Sequence, residues 1–171
     1  MFTKRIKIMA DIEVHMGKIA VAKGEDNLVA SGIGSCLIIT LYDPKHKIGA
    51  LAHTMLYARR LLFEVSSPKE ERRKTNPGLP DTKYADTAID EMLKRMEILG
   101  AERKNMEAKL VGGANMFLAF GSDIGKENVS HTKKKLEEEG VVIVGECVGG
   151  SQGRSVEFSV ATGIVTVKTK F

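Results

Sequence analysis

Tryptophan is absent from this 171-residue chain, and aromatic residues make up only 5% of it. A core without large rings must be aliphatic, with the eight methionines filling irregular gaps. Long apolar runs are missing too. None approaches the ~18 residues a membrane helix needs, so direct membrane insertion is not expected. The segment Met1-Phe2-Thr3-Lys4-Arg5-Ile6-Lys7-Ile8 has no apolar h-region and no small-residue cleavage site, so no secretory leader is expected. There are two cysteines, Cys36 and Cys147. With nothing pointing to secretion, both are expected as free thiols in a reducing, cytoplasmic setting.

Histidine is also sparse. His15, His46, His53 and His131 are scattered, with no His-x-x-x-His pair, and there is no Cys-x-x-Cys. Neither a metal centre nor an organic cofactor is expected. Gly-x-Ser-x-Gly, Walker and Gly-x-Gly-x-x-Gly patterns are lacking as well. The net charge of +4 is mild, and lysines and glutamates are interleaved rather than blocked. That pattern argues against nucleic acid as a partner and suits an acidic protein surface better.

The length and the 43% hydrophobic content fit one domain over residues 1–171. Residues 1–11 read as an N-terminal extension, with a short strand possible at Ile6–Met9. Residues 64–82 read as a long polar loop, holding three of the four prolines and the run Lys69-Glu70-Glu71-Arg72-Arg73-Lys74. Strands are expected within Ile12–Ala22 (bent at Gly17), at Cys36–Tyr42, Ile48–Met55, Ala108–Val111 and Val141–Val144, and as a last hairpin at Val156–Val160 and Ile164–Lys168. Lys83–Leu99 carries Tyr84, Ala88, Ile89, Met92, Leu93, Met96 and Leu99 on one helical stripe, with Asp81 or Thr82 available as a cap. Glu127–Glu139 is a second amphipathic helix with Val129 and Leu136 inward, and the strand Val141–Val144 after it reads as buried. Gly145–Gly153 reads as a glycine-rich loop carrying Cys147. Strands outnumber helices and arrive as hairpins. The expected fold is therefore α/β of the α+β kind, with layered mixed sheets and two main helices.

The chemistry centres on Ser31-Gly32-Ile33-Gly34-Ser35-Cys36, a glycine-punctuated turn that delivers a cysteine to the head of an apolar strand. His53 lies at the end of the next strand. A cysteine and a histidine can form an activated thiol nucleophile. The glycine turn offers main-chain N–H groups that could lower the thiol pKa and hold an oxyanion. In an antiparallel hairpin, opposed residue numbers sum to a constant. With Asp43–Lys47 as the whole loop the sum is 90, and Cys36 faces Thr54. A shift to 89 makes Cys36 face His53. Only the odd sum, or a bulge, sets both side chains on one face. His46 and His131 read as solvated, and Cys147 as a small hydrophobe. Gly112-Gly113 reads as a tight loop, with Met116 and Phe117 either buried or offered as a contact.

Several motifs, in order and at fitting spacing, carry a resemblance: Gly34-Ser35-Cys36, Tyr42-Asp43-Pro44, Gly49 to Leu56, Lys83-Tyr84-Ala85-Asp86-Thr87-Ala88, Gly112 to Phe117, Ile124-Gly125 with Asn128-Val129, Gly149-Gly150, Arg154-Ser155-Val156 and Thr162-Gly163. From about Gly17 to the C-terminus the sequence resembles the CheD family of chemoreceptor glutamine deamidases. The resemblance implies a layered α/β fold and a cysteine-dependent amide hydrolase (a protein-glutamine glutaminase). It implies that selected receptor glutamines become glutamates and ammonia is released. Cys36 is the implied nucleophile and His53 its base, with Gly34, Ser35, Met116 and Phe117 as candidate substrate or partner contacts. The implied partners are methyl-accepting chemotaxis receptors and a CheC-type phosphatase, and a monomer is expected. The family's third catalytic residue, a threonine six positions before the cysteine, falls on Ala30. Either Ser31 beside it or a main-chain carbonyl is left to orient His53. The competing expectation is a non-catalytic adaptor that binds the phosphatase and the receptors.

Overall fold

The computed structural model describes residues 9–57, 81–115 and 123–170. Residues 1–8, most of the 64–82 loop, and Met116 and Phe117 therefore lie outside the described residues. Nine strands are seen among the described residues: β1 (Asp11–Glu13), β2 (Ile19–Lys23), β3 (Asn27–Ile33), β4 (Leu37–Asp43), β5 (Ile48–Thr54), β6 (Glu107–Gly112), β7 (Val142–Val148), β8 (Gly153–Ser159) and β9 (Val165–Lys170). Two helices accompany them, α1 (Ala85–Ile98) and α2 (Ile124–Glu138). The strands form two mixed sheets, one of four in the order β1-β3-β8-β9 and one of five in the order β2-β5-β4-β6-β7. This is the layered α+β arrangement expected. No helix among the described residues is long and apolar enough to cross a membrane.

Alternation along β4 explains the layering, because successive side chains in a strand point to opposite faces. All seven β4 residues are buried. Leu37, Ile39 and Leu41 pack with Ala88, Ile89, Met92 and Met96 of α1. Ile38 and Tyr42 pack the other way, with Leu28, Val156 and Phe158 of the four-stranded sheet. The five-stranded sheet is thus the middle layer, and its central strand reads as continuous apolar sequence because both faces are covered.

Several boundaries move from expectation. The stretch Ile12–Ala22 is two strands belonging to different sheets, joined by a turn over His15–Lys18 in which Lys18 N–H donates to the His15 carbonyl at 3.0 Å. Gly17 takes φ +76° in that turn, a conformation L side chains avoid. The stripe of α1 is as expected except that Leu99 is exposed. Neither Asp81 nor Thr82 caps the helix. The first helical residue follows Tyr84, and the Thr82 hydroxyl donates to the Gly17 carbonyl at 2.6 Å instead. Helix α2 begins three residues earlier than expected, because the Asp123 side chain accepts from Lys126 N–H at 3.0 Å and caps it there. Strand β7 is an edge, not a buried strand: Val142 is 66% and Val144 49% exposed. Cys147 lies within β7, paired opposite Val111, rather than in a loop.

Candidate active site

The β4–β5 hairpin sets the site. Asp43 pairs with Ile48, so the loop is the four residues Pro44–Lys47 rather than five. The buried Asp43 carboxylate is the reason. It accepts from Lys45 N–H at 3.0 Å and His46 N–H at 3.2 Å, closing a tight local turn. Its second oxygen lies 2.7 Å from His46 Nδ1 and accepts from Glu102 N–H at 2.8 Å. His46 is consequently held in a polar cluster, not solvated as expected.

This loop fixes a register that was not foreseen. Ile38 faces His53 and Leu37 faces Thr54, a sum of 91. The sum is odd, so the one-face condition is met: Cys36 is two residues before Ile38, on the His53 side of the sheet. Such diagonal neighbours sit ~7–8 Å apart in a regular ladder, within reach of side-chain adjustment. His53 points into the layer between the sheets, the face on which Leu51 packs, and alternation carried back from Ile38 sets Cys36 on that side.

The turn His15–Lys18 closes this corner. Gly17 N–H donates to the His53 carbonyl at 2.7 Å, and His53 N–H donates to the Lys18 carbonyl at 3.1 Å. The Cys36 thiol contacts the Met16 sulfur at 3.7 Å. Met16 itself is 53% exposed, so the thiol lies just under the surface. Val14, buried, is the main-chain group that acts on the His53 ring pKa.

His53 is 3% exposed, and neither ring nitrogen has a hydrogen-bond partner. Buried polar atoms are seldom left so, and an exception calls for an explanation. Burial holds the ring pKa below its ordinary value. The Val14 main chain pulls weakly the other way, without reaching hydrogen-bond geometry, and His15 adds repulsion. Cys36 is half-buried, and loss of water pushes its thiol up, opposed only by its own main-chain N–H. The lowered thiol pKa expected from the glycine turn is therefore not what the fold produces. Both shifts favour the uncharged form of each group, a thiol and a neutral imidazole.

Three successive peptide groups around the thiol are anchored through their carbonyls. Gly34 accepts from Ala114 N–H at 2.9 Å and Cys36 from Gly113 N–H at 2.8 Å. Ser35 accepts from the Asn128 side-chain amide at 3.1 Å. Gly112 sits at φ +117°, where an added Cβ would strike the Cys36 carbonyl and come 2.7 Å from Ile33 Cγ2. Gly112-Gly113 is thus a tight loop whose tightness seats the cysteine turn. Arg154 braces it from behind, donating to the Gly149 carbonyl at 2.7 Å. Among the described residues, no acceptor takes up the N–H groups of Gly34, Ser35 or Cys36.

Ser31 stands elsewhere. Strand β3 bulges between Ala30 and Ile33. Ala30 faces the interlayer core, whereas Ser31 is exposed and lines an outer groove with Glu13, Val29, Glu157 and Lys168. No hydrogen bond joins Ser31 to His53 among the described residues. Met116 and Phe117 fall outside those residues. His131 is exposed and stacks on Tyr57, with centroids 4.2 Å apart. The sequence reading missed Val14, Met16 and Asn128. Nothing in the pattern marks the first two. Asn128 carried a signal, being a polar residue on the inward stripe of α2 with Gly125, Thr132 and Leu136.

Comparison with known proteins adds an independent line. Residues 67–169 match the family model CheD, described as CheD chemotactic sensory transduction. The chain is 36% identical to the chemoreceptor glutamine deamidase CheD of Thermotoga maritima, covering 91% of this chain and 89% of that protein. It is 37% identical to the protein of the same name from Halalkalibacterium halodurans, over 92% of this chain and 93% of the relative. A probable chemoreceptor glutamine deamidase CheD from Pyrococcus abyssi is 38% identical, over 92% and 91%.

Proposed function

The chain belongs to the CheD family, and on that premise we propose that it is a chemoreceptor glutamine deamidase with Cys36 as nucleophile and His53 as base. The observation that carries the site assignment is His53: buried, with both ring nitrogens unpaired, on the same sheet face as Cys36. A structural histidine at such a place would be hydrogen-bonded. A base keeps one ring nitrogen open to accept a proton, while a neighbour orients the other.

The chemistry follows from the neutral pair. A receptor glutamine enters past Met16, and Cys36 turns from the Met16 sulfur toward His53. Catalytic hydrogen bonds often tighten only when substrate is bound. His53 accepts the thiol proton as the sulfur attacks the carboxamide carbon. The developing oxyanion is met by the free N–H groups of Ser35 and Cys36. The carbon–nitrogen bond breaks, and ammonia leaves with the proton from His53. Water, deprotonated by His53, then attacks the thioester, releasing glutamate and restoring the thiol. The Val14 main chain is the group best placed to orient the His53 ring, so the role of the threonine replaced by Ala30 passes to backbone rather than to Ser31.

The receptor is the substrate and hence a partner. A CheC-type phosphatase as second partner, the monomeric state and a cytoplasmic location belong to the same proposal. They rest on family membership and on the mild positive charge.

Incubating the protein with receptor cytoplasmic fragments and weighing the peptides tests the assignment. Wild type is expected to add +1 Da per converted glutamine, as –NH2 becomes –OH, and to release ammonia. Cys36→Ala and His53→Ala are expected to fold and to lose that activity, by ~10³-fold or more as for other nucleophile–base pairs. Undiminished conversion by folded Cys36→Ala would overturn the nucleophile assignment, and no conversion by wild type would leave the adaptor as the better account.

A further inference from the structure

The residue that sets the cysteine turn from outside the hairpin is Asn128, on α2. It is 1% exposed. Its side-chain nitrogen donates one proton to the Ser35 carbonyl at 3.1 Å and the other to the Met55 carbonyl at 3.0 Å. Two carbonyls on one side of an amide require the NH2 end there, which fixes the orientation of the side chain. Its oxygen is left buried and without a partner. Such an orphan acceptor costs on the order of 1–3 kcal/mol, which an apolar residue would avoid.

The Ser35 carbonyl and the Cys36 N–H are two ends of one planar trans peptide and point in opposite directions. Holding the carbonyl therefore aims the N–H. That N–H belongs to the nucleophile's own residue, and an oxyanion would form next to the new carbon–sulfur bond. The neighbouring peptides are held by main-chain donors, Ala114 and Gly113. Among the described residues, only the Ser35–Cys36 peptide of the three is held by a side chain. The second proton, on Met55, ties this peptide to the chain two residues past His53. One amide thus fixes the oxyanion donor relative to the base-bearing strand.

We propose that Asn128 is a positioning residue that orients the Cys36 N–H as an oxyanion donor and keeps it in register with His53. It touches neither substrate nor sulfur, and acts through the Ser35–Cys36 peptide. The inference rests on Cys36 being the nucleophile.

Alkylation and acyl transfer separate this role from general damage, because iodoacetamide attacks the thiolate without forming an oxyanion. In Asn128→Ala, kcat for receptor-fragment deamidation is expected to fall about 10–100-fold, somewhat less than deletion of an oxyanion donor itself. KM and the second-order rate of Cys36 alkylation are expected to stay within about threefold. Asn128→Asp, of the same size but without the paired donors, is expected to show the same split and serves should the alanine variant not fold. In both, the Cys36 amide resonance is expected to move. Unchanged kcat in a folded variant overturns the inference, as does alkylation falling in step with kcat. Cys36→Ala is run alongside. If it is inactive while the Asn128 variants are fully active, this inference alone fails. If it retains turnover, the nucleophile assignment fails and carries this inference with it.

Discussion

At Cys36 and His53 the same cause, loss of water, acts on two groups of opposite charge type. It raises the thiol above its ordinary 9.0 and lowers the imidazole below its ordinary 6.5. The protonation state suited to proton transfer from sulfur to nitrogen therefore spans the neutral range. In a titration of kcat/KM, activity is expected to rise with a midpoint below pH 6.5 and to hold to above pH 9. Alkylation of free Cys36, which needs the thiolate, is expected to show its midpoint above pH 9. A midpoint well below 8 would mean that an ion pair pre-exists. Stability carries the His53 signature too. The unfolded ring takes up a proton near 6.5 while the folded ring resists, so stability falls as pH drops from there toward the folded value. His53→Gln is expected to flatten that part of the stability curve, measured by urea midpoints from pH 7.5 to 5.

At the scale of elements, the hairpin loop decides what faces what. A loop of five residues in place of Pro44–Lys47 would make the register sum even and point Cys36 and His53 to opposite faces. The Asp43 carboxylate enforces the short loop through three main-chain N–H groups and the His46 ring. Those donors hold its pKa below the ordinary 3.8 despite burial, which acts the other way. The resulting stabilisation is present above about pH 3.8 and is lost as pH falls through the lower folded value. Asp43→Asn is expected to lower the urea midpoint at pH 7 and to converge on wild type in acid. Because the loop sets the register, the variant is also expected to lose deamidation activity at pH 7.

At the scale of the molecule, three layers divide the labour. Helices α1 and α2 cover one face of the five-stranded sheet, and the four-stranded sheet covers the other. The site lies where the hairpin, the β1–β2 turn, the glycine loop after β6 and α2 converge, so each layer contributes to it. Met92, fully buried between α1 and the middle sheet, is expected to cost about 2–5 kcal/mol on truncation to alanine. Val144→Thr on the exposed edge is expected to stay within about 0.5 kcal/mol. Chemical denaturation of both variants checks the contrast.

The sequence by itself determined much of this. The helical stripe of α1, the all-apolar β4 and the hairpin to β5 are written in local periodicity, which needs no partner to be read. The motifs carried the family and with it the reaction, and they offered Cys36 and His53 as candidates. What tertiary structure decided was everything that depends on which atoms share water. Sequence placed donors near Cys36 and suggested a lowered thiol pKa, but burial reversed the sign. It could not choose among hairpin registers, since one buried carboxylate shortens the loop by a residue. It offered Ser31 as the partner of His53, but Ala30 faces inward and strand alternation turns Ser31 outward. Val14, Met16 and Asn128 reach the site from 22 residues before Cys36 to 92 after it, and of the three only Asn128, a polar residue on an inward helical stripe, left a local signal.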